Sequence, residues 1–461
     1  MAGVTGANDP GGCVPAGRAA SEMAVDAARR PERVRELQRR LWVAAKRSPG
    51  RRFHSLYDKL WRGDVLLGAW ERVCRNKGAA GVDGVTLAAV EAYGVERMLV
   101  ELSVDLREGR YRPAPVRRVE IPKPQGGVRP LGIPVVRDRV CQQAARLVLE
   151  PIFEADFLPV SYGFRPRRSA VQAKEQARVS FVDGYVFAVD GDIRDYFSTI
   201  EHERLLALVA ERVSDGRMLK LLGKWLEAGV MEDGLFSETV TGTPQGGVIS
   251  PLLANIYLHP FDKAMVEASA GRLVRYADDW LVLCRSRREA EAALALAGET
   301  LAGLGLELHP DKTRVVDLRE GREGFDFLGC HFRARLSGRM LERGVRRYYL
   351  RRWPSQRAMK RARAKIKAKT GRGRAGADIR EVIADINPIL RGWGNYFRNG
   401  NAATKFIAID RYAERRLRGL MRKRYGRHLR PGQSVGWTRE WFEAQGLYRL
   451  RGTIRYPAPA S

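Results

Sequence analysis

The sequence predicts an α+β fold, and three observations carry that expectation. Arg272-Leu-Val-Arg-Tyr-Ala-Asp-Asp-Trp-Leu-Val-Leu-Cys284 sets two short apolar runs around Tyr276-Ala277-Asp278-Asp279, the pattern of a hairpin with two carboxylates at its tip. Gly184-Tyr-Val-Phe-Ala-Val189 reads as a buried strand and runs into Asp190-Gly-Asp-Ile-Arg-Asp-Tyr-Phe197, where three aspartates gather. Between and beyond these strands, apolar residues recur at helical spacing, over Arg139–Glu154, Ser250 to about Ala264 and Arg287–Leu304. An Asp-Asp turn is compatible with simple solvation, because aspartate bonds nearby backbone in turns. It equally suits a hard divalent cation, since adjacent like charges need a counter-charge to stay ionised.

A chain of 461 residues with 44% hydrophobic content is long enough to bury a sizeable core in two or three domains. The 82 Lys and Arg against 53 Asp and Glu leave a formal charge of +29, which calls for a polyanion, nucleic acid above all. The excess is concentrated: Leu341 to Arg430 holds 27 basic and 6 acidic residues, a net of +21. Charge placed this way is an electrostatic footprint rather than a general aid to solubility. Cys13, Cys74, Cys141, Cys284 and Cys330 have no paired spacing, which argues against a zinc site or disulfide framework and suits a reducing cytoplasm. No apolar run approaches membrane-spanning length, and because charged Pro31-Glu-Arg-Val-Arg rather than an apolar segment follows Arg29-Arg30, no signal peptide is expected.

Taken in order, residues 1–50 comprise a Gly-, Ala- and Pro-rich leader, expected to be flexible, and the start of a helical region. Val34, Leu37, Leu41, Val43, Leu56 and Leu60 carry its helical period. Asn76-Lys-Gly-Ala-Ala-Gly-Val-Asp-Gly-Val85 is a connector, since it lacks the Gly-Lys-Ser/Thr ending of a nucleotide-cradling loop. Val116 to Val136 reads as a hairpin turning at Gln125-Gly-Gly, with Lys123 and Arg129 on one flap. Two cations there fit either a triphosphate clamp or solvated edge-strand charges. Ser161-Tyr-Gly-Phe-Arg-Pro-Arg-Arg168 is an aromatic, basic loop, and Thr241-Gly-Thr-Pro-Gln-Gly-Gly247 is a turn ahead of the Ser250 helix. Phe325-Asp-Phe-Leu-Gly-Cys-His-Phe332 is strand-like. In the basic region, Asn387-Pro388 reads as a helix cap and first position, with Ile389, Leu390, Trp393 and Phe397 along one apolar face. On that reading Trp393 is helix core.

Aspartates separated in the chain but clustered around strand ends suggest two-metal phosphoryl or nucleotidyl transfer. Such a site holds two cations roughly 4 Å apart, one at the attacking oxygen and one at the leaving group. His202, His259 and His309 suit surface or capping roles, and metal-assisted transfer does not require a histidine base.

Together and in order, the motifs resemble those of the reverse transcriptases encoded by bacterial group II introns. They stand here as Lys123, Arg129-Pro-Leu-Gly-Ile-Pro, Ser161-Tyr-Gly-Phe-Arg-Pro, Asp192-Ile-Arg-Asp-Tyr-Phe, Pro244-Gln-Gly and Tyr276-Ala-Asp-Asp. Leu306 to Lys312, Phe327-Leu-Gly and Leu390-Arg-Gly-Trp-Gly-Asn-Tyr-Phe397 complete the set. The resemblance implies a right-hand polymerase, with fingers and an antiparallel palm over 51–335 and a basic helical thumb, or maturase domain, over 341–430. Residues 431–461 would be a short tail without paired cysteines or a histidine cluster, so no endonuclease domain is expected.

The resemblance also implies roles. Asp192, Asp278 and Asp279 would be catalytic and, with the Ile193 carbonyl, would hold two Mg²⁺ ions, for which Mn²⁺ could substitute. Asp190 shares side-chain parity with Asp192, but the motif favours Asp192, and Asp195 would be structural. Lys123 and Arg129 would bind the triphosphate, and Phe197 would be the steric gate against a ribose 2′-hydroxyl. Gln245 would lie on the nascent base pair and Lys312 near the primer or triphosphate. Tyr276, Arg391, Trp393 and Tyr396 would face primer and template. The implied partners are group II intron RNA, an RNA template with a DNA primer, target DNA and dNTPs, without a membrane. Rival expectations are a splicing-only RNA-binding maturase without polymerase activity, and a reverse transcriptase repurposed for defence or repair.

Overall fold

The computed structural model describes residues 30–122, 128–232, 235–237, 242, 246–430 and 432–455. Among them run strands β1 (Val116–Pro122), β2 (Val128–Ile133), β3 (Phe187–Asp192), β4 (Val230–Glu232) and β5 (Leu235–Ser237). Then follow β6 (Arg272–Tyr276), β7 (Asp279–Cys284), β8 (Arg314–Asp317), β9 (Gly324–Phe327), β10 (Cys330–Leu336) and β11 (Tyr348–Pro354). The chain divides into two compact units: one of 1–121, 128–158 and 195–259, the other of 122–127, 159–194 and 260–461.

In the first unit, helices Arg30–Arg47 and Gly63–Arg75 pack on the helix Val136–Glu154. The helical spacing of apolar residues from Arg139 predicts an amphipathic helix, but this central helix is buried on nearly every side, including the polar Asp138, Arg139, Gln142 and Gln143. Asp138, Gln142 and one arm of the Arg139 guanidinium are tolerated there because they are bonded, Gln142 accepting from the Val248 N–H at 2.9 Å. The Asp138 carboxylate accepts from Tyr111 Oη at 2.7 Å and from the Ala114 N–H at 2.8 Å, and Arg139 donates to the Ala79 carbonyl at 2.6 Å. Burial pushes the Asp138 carboxyl up to about 6. A small sheet of order β2-β1-β4-β5 completes the unit, with β1 parallel to β4 and β4 antiparallel to β5. The helix expected from Ser250 to about 264 is two, Ser250–Tyr257 and His259–Glu267. Pro260, which has no N–H to donate, stands at the break.

In the second unit, an antiparallel sheet of order β6-β7-β3-β8 carries the aspartates. Trp280 to Cys284 on β7 and Phe187 to Val189 on β3 are all buried, so these central strands are apolar runs rather than alternating ones. The strand read over Phe325–Phe332 is instead a hairpin. Leu328 (φ 47°) and Gly329 (φ 72°) make its two-residue turn between β9 and β10, which continue into a sheet with β11. Helix Ile379–Phe397 begins a turn and more before Asn387, capped by Asp378, whose side chain accepts from the Arg380 N–H. Asn387 and Pro388 therefore lie inside it, and Asn387 caps nothing. Its side chain donates to the Gly446 carbonyl and accepts from the Tyr448 N–H, both at 2.8 Å. Beyond residue 431, Trp437, Phe442, Leu447 and Leu450 are buried in the same apolar core as Ile386, Leu390, Phe406 and Leu417. Asp410 secures this return by accepting from the N–H groups of Leu450 and Arg451.

Candidate active site

The antiparallel register of β3 and β7 sets Asp192 directly opposite Asp279. Residues paired in this way have side chains on one face of the sheet, about 5 Å apart at Cβ. Asp190 lies on the same face of β3, two residues back, opposite Leu281 on one side and Arg314 on the other. The Arg314 guanidinium approaches Asp190 to 3.9 Å. Between them Gly191 lies flat against Trp280: a Cβ there would stand 2.2 Å from the indole, so only glycine allows β3 and β7 this approach.

The β6–β7 turn carries the remaining carboxylate. Tyr276 pairs with Asp279, leaving Ala277 and Asp278 as a two-residue turn, and Ala277 takes φ 59°. A positive φ at the first turn residue matches the twist of the flanking strands. The loop Ser161–Gly163 lies behind it, with Ser161 bridging Arg275. A Cβ on Gly163 would stand 2.4 Å from the Ala277 nitrogen.

These carboxylates make a region of concentrated negative charge. Burial, and then the charges of Asp278, Asp190 and Asp192, push the Asp279 carboxyl up to about 7. Burial similarly raises Asp190 to about 7, opposed by Arg314. Lys312 Nζ stands 2.5 Å from Asp192 Oδ2, supplying one positive charge. Among the described residues, no three His, Cys, Asp or Glu side chains are gathered as a ready metal cage. The donor set nonetheless fits a hard divalent cation. It offers carboxylate oxygens only, and the Asp279 carboxyl is raised first by burial and then by its like-charged neighbours, penalties a cation would relieve. The segment after β3 is tied down by its backbone: Ile193 bridges Leu308, and the His309 N–H donates to the Asp192 carbonyl at 2.9 Å.

The other expected site residues fall into three groups. Asp192, Ile193, Asp278, Asp279, Tyr276 and Lys312 belong to the same compact unit as Arg391, Trp393 and Tyr396. Phe197 belongs to the first unit, where it is buried edge-on to Tyr196, and Tyr196 Oη donates to the Ala254 carbonyl. Lys123 and Gln245 lie outside the described residues, as does the Arg129 side chain, although its backbone is part of β2.

In the basic region, Trp393 is only half-buried rather than fully in the core. Its ring lies tilted against those of Phe397 and Phe406 and, with Tyr396, lines a cavity of about 610 Å³ rimmed by Arg361 and Lys365. The Tyr396 hydroxyl donates to the Leu328 carbonyl at 2.9 Å, holding the β9–β10 turn to this helix. Beneath the Tyr396 ring lies the Lys174 ammonium, 4.0 Å from its centroid, its pKa lowered by burial. Arg391 lies over the Tyr448 ring at 5.3 Å. Sequence reasoning passed over Lys174, and also the buried pair of Arg275 and Asp262 behind the β6–β7 turn. Neither has a local signal, because charged residues beside a turn or on a helix ordinarily face water.

Residues 121–332 match the family model for reverse transcriptase (RNA-dependent DNA polymerase), and 359–435 match that for the group II intron maturase-specific domain. Protein YkfC of Escherichia coli is 36% identical over 339 residues, covering 64% of this chain and 87% of that protein. The group II intron-encoded protein LtrA of Lactococcus lactis is 39% identical over 216 residues, 47% of this chain but 36% of LtrA's own length. An uncharacterized 91 kDa protein in a cob intron of Schizosaccharomyces pombe is 27% identical over 412 residues, 74% of this chain and 50% of that protein. A carboxylate-bearing antiparallel sheet, a strongly basic helical region and these matches lead to one conclusion: the chain belongs to the group II intron-encoded reverse transcriptases, RNA-dependent DNA polymerases with a maturase-specific domain.

Proposed function

We propose that Asp192, Asp278 and Asp279 form the polymerase centre, at which a primer 3′-hydroxyl attacks the α-phosphate of a dNTP and pyrophosphate leaves. The observation that carries this reading is the β3–β7 register, which places Asp192 opposite Asp279 with Asp278 in the adjoining turn. The three carboxylates, assisted by the Ile193 carbonyl, would hold two Mg²⁺ ions, and such ions supply charge neutralisation at the transferred phosphoryl and activation of the attacking hydroxyl. Lys312, now on Asp192, would move to the incoming triphosphate or the primer end. Lys123 and Arg129 would bind the triphosphate, Phe197 would exclude the 2′-hydroxyl, and Gln245 would support the nascent pair.

The same reading makes residues 51–335 the fingers and palm and 341–430 the thumb. The thumb would grip the RNA template with its DNA primer through Tyr276, Arg391, Trp393 and Tyr396, and the host intron RNA through its arginines. The chain would thereby promote splicing and insertion into target DNA as well as copying. No helix among the described residues is long and apolar enough to cross a membrane, and Cys74, Cys141, Cys284 and Cys330 are free thiols, which supports action in a reducing cytoplasm.

The test is Asp278→Asn. Primer extension on an RNA template should fall at least about 100-fold, the scale on which losing one preorganised charge-stabilising group acts. RNA affinity should hold. Extension at the native rate would remove the carboxylates from the reaction.

A further inference from the structure

We infer that Arg275, gripped by Asp262, is a positioning residue: it fixes the left-handed turn at Ala277 and thereby sets where the Asp278 carboxylate stands beside Asp279. The inference rests on the reading of Asp278 as a metal-holding carboxylate.

Arg275 ends the apolar part of β6, one residue before the Tyr276-Ala-Asp-Asp turn, and its side chain has no exposed surface. Asp262, on the helix His259–Glu267, has none either. The two meet in parallel, Nε to Oδ1 at 2.6 Å and Nη2 to Oδ2 at 2.5 Å, the bidentate form that fixes a guanidinium plane. The remaining arm, Nη1, donates to the Ala277 carbonyl at 3.0 Å. A buried ion pair adds little stability over apolar side chains of the same volume, so stability alone explains this one poorly. What it supplies that an apolar pair cannot is a donor aimed in a fixed direction.

That donor meets the turn where the backbone is least favourable. Ala277 adopts φ 59°, a conformation glycine takes freely but an L-residue keeps only where its surroundings over-determine it. The surroundings here act from two sides. Gly163 closes on the Ala277 nitrogen, and Arg275 holds the Ala277 oxygen. The backbone of Arg275 is itself anchored, its N–H on the Val160 carbonyl and its carbonyl on the Tyr162 N–H, both at 2.8 Å. The Ala277 oxygen lies in the planar peptide that leads into Asp278. Holding the oxygen therefore orients the plane from which the Asp278 side chain departs.

The test uses the full chain with Arg275→Lys, which keeps a cation for Asp262 but has no second arm for the Ala277 carbonyl. Primer extension is followed against Mg²⁺ concentration, with RNA binding and thermal unfolding measured alongside. The Mg²⁺ midpoint should rise about 10-fold, the low end of what losing an orienting partner costs a metal ligand, while RNA affinity is unchanged. Adding Ala277→Gly should recover most of that shift, because glycine adopts the positive φ of the turn without the strain that Arg275 offsets; a residue that only filled the core would gain nothing from it. An unmoved midpoint, or a shift that glycine leaves intact, overturns the inference. If Arg275→Lys fails to fold, Asp262→Asn, which leaves the arginine but loosens its grip, is read by the same criteria. Loss of folding in both variants assigns the pair to stability alone and likewise overturns the inference. Native extension by Asp278→Asn would instead overturn the polymerase-centre reading beneath it.

Discussion

Asp192 and Asp279 are 87 positions apart in sequence and face each other across two strands. The Asp-Asp pair could be read from its flanking apolar runs, because a turn between two such runs is a local pattern. Its environment could not. Burial, and then the charges of Asp278, Asp190 and Asp192, raise Asp279 to about 7, and the burial and the two carboxylates of β3 depend on which strand lies beside it. Phe197 differs in kind. It is a buried aromatic in the first unit, and its role as a gate comes from its place in the motif. Phe197→Ala should raise ribonucleotide incorporation at least about 10-fold relative to dNTP, within the range by which reshaping a pocket wall alters discrimination. The ratio of the two incorporation efficiencies measures this directly. An unchanged ratio would leave the ring a core residue only.

At the scale of elements, the helix Ile379–Phe397 shows how a correct local signal can mislead. Asn followed by Pro is a sound helix-start signature, yet here Asp378 caps the helix and Pro388 rides within it. Asn387 is used instead to bind a distant segment at Gly446 and Tyr448. Asn387→Ala would leave the Gly446 carbonyl and the Tyr448 N–H without that partner. Unsatisfied groups of this kind destabilise by about 1–3 kcal/mol. A lowered unfolding midpoint, together with faster proteolysis between residues 432 and 455, is the expected result. An unchanged midpoint would mean the segment is held by Asp410 and its apolar contacts without help from Asn387. The β9–β10 hairpin is a second instance: its apolar run reads as one strand because Leu328 at the turn is as apolar as its neighbours.

At the scale of the whole molecule, charge dominates. The net of +29, most of it within 341–430, is a property of composition and needs no fold to predict a polyanionic partner. RNA binding should weaken with salt, log affinity falling by about 0.7–0.9 per phosphate neutralised for each log unit of salt. Arg361→Gln with Lys365→Gln, at the rim of the cavity lined by Trp393 and Tyr396, should lower that slope by about 1 for each phosphate that these cations neutralise, without altering sequence preference. A native slope in the double variant would take these two cations out of the RNA interface.

Local pattern and composition suffice to reveal the features on which the proposed chemistry rests: an Asp-Asp hairpin, an aspartate-rich strand end and a basic helical region. Only the folded chain shows which carboxylate faces which, that the helix Val136–Glu154 is enclosed, and that Asn387 ties down the chain's return. Folding likewise pairs Arg275 with Asp262 behind the turn. The reason is physical. Period and turn chemistry act over a few residues, whereas burial and the field at a side chain are set by segments distant in sequence and adjacent only once the chain has folded.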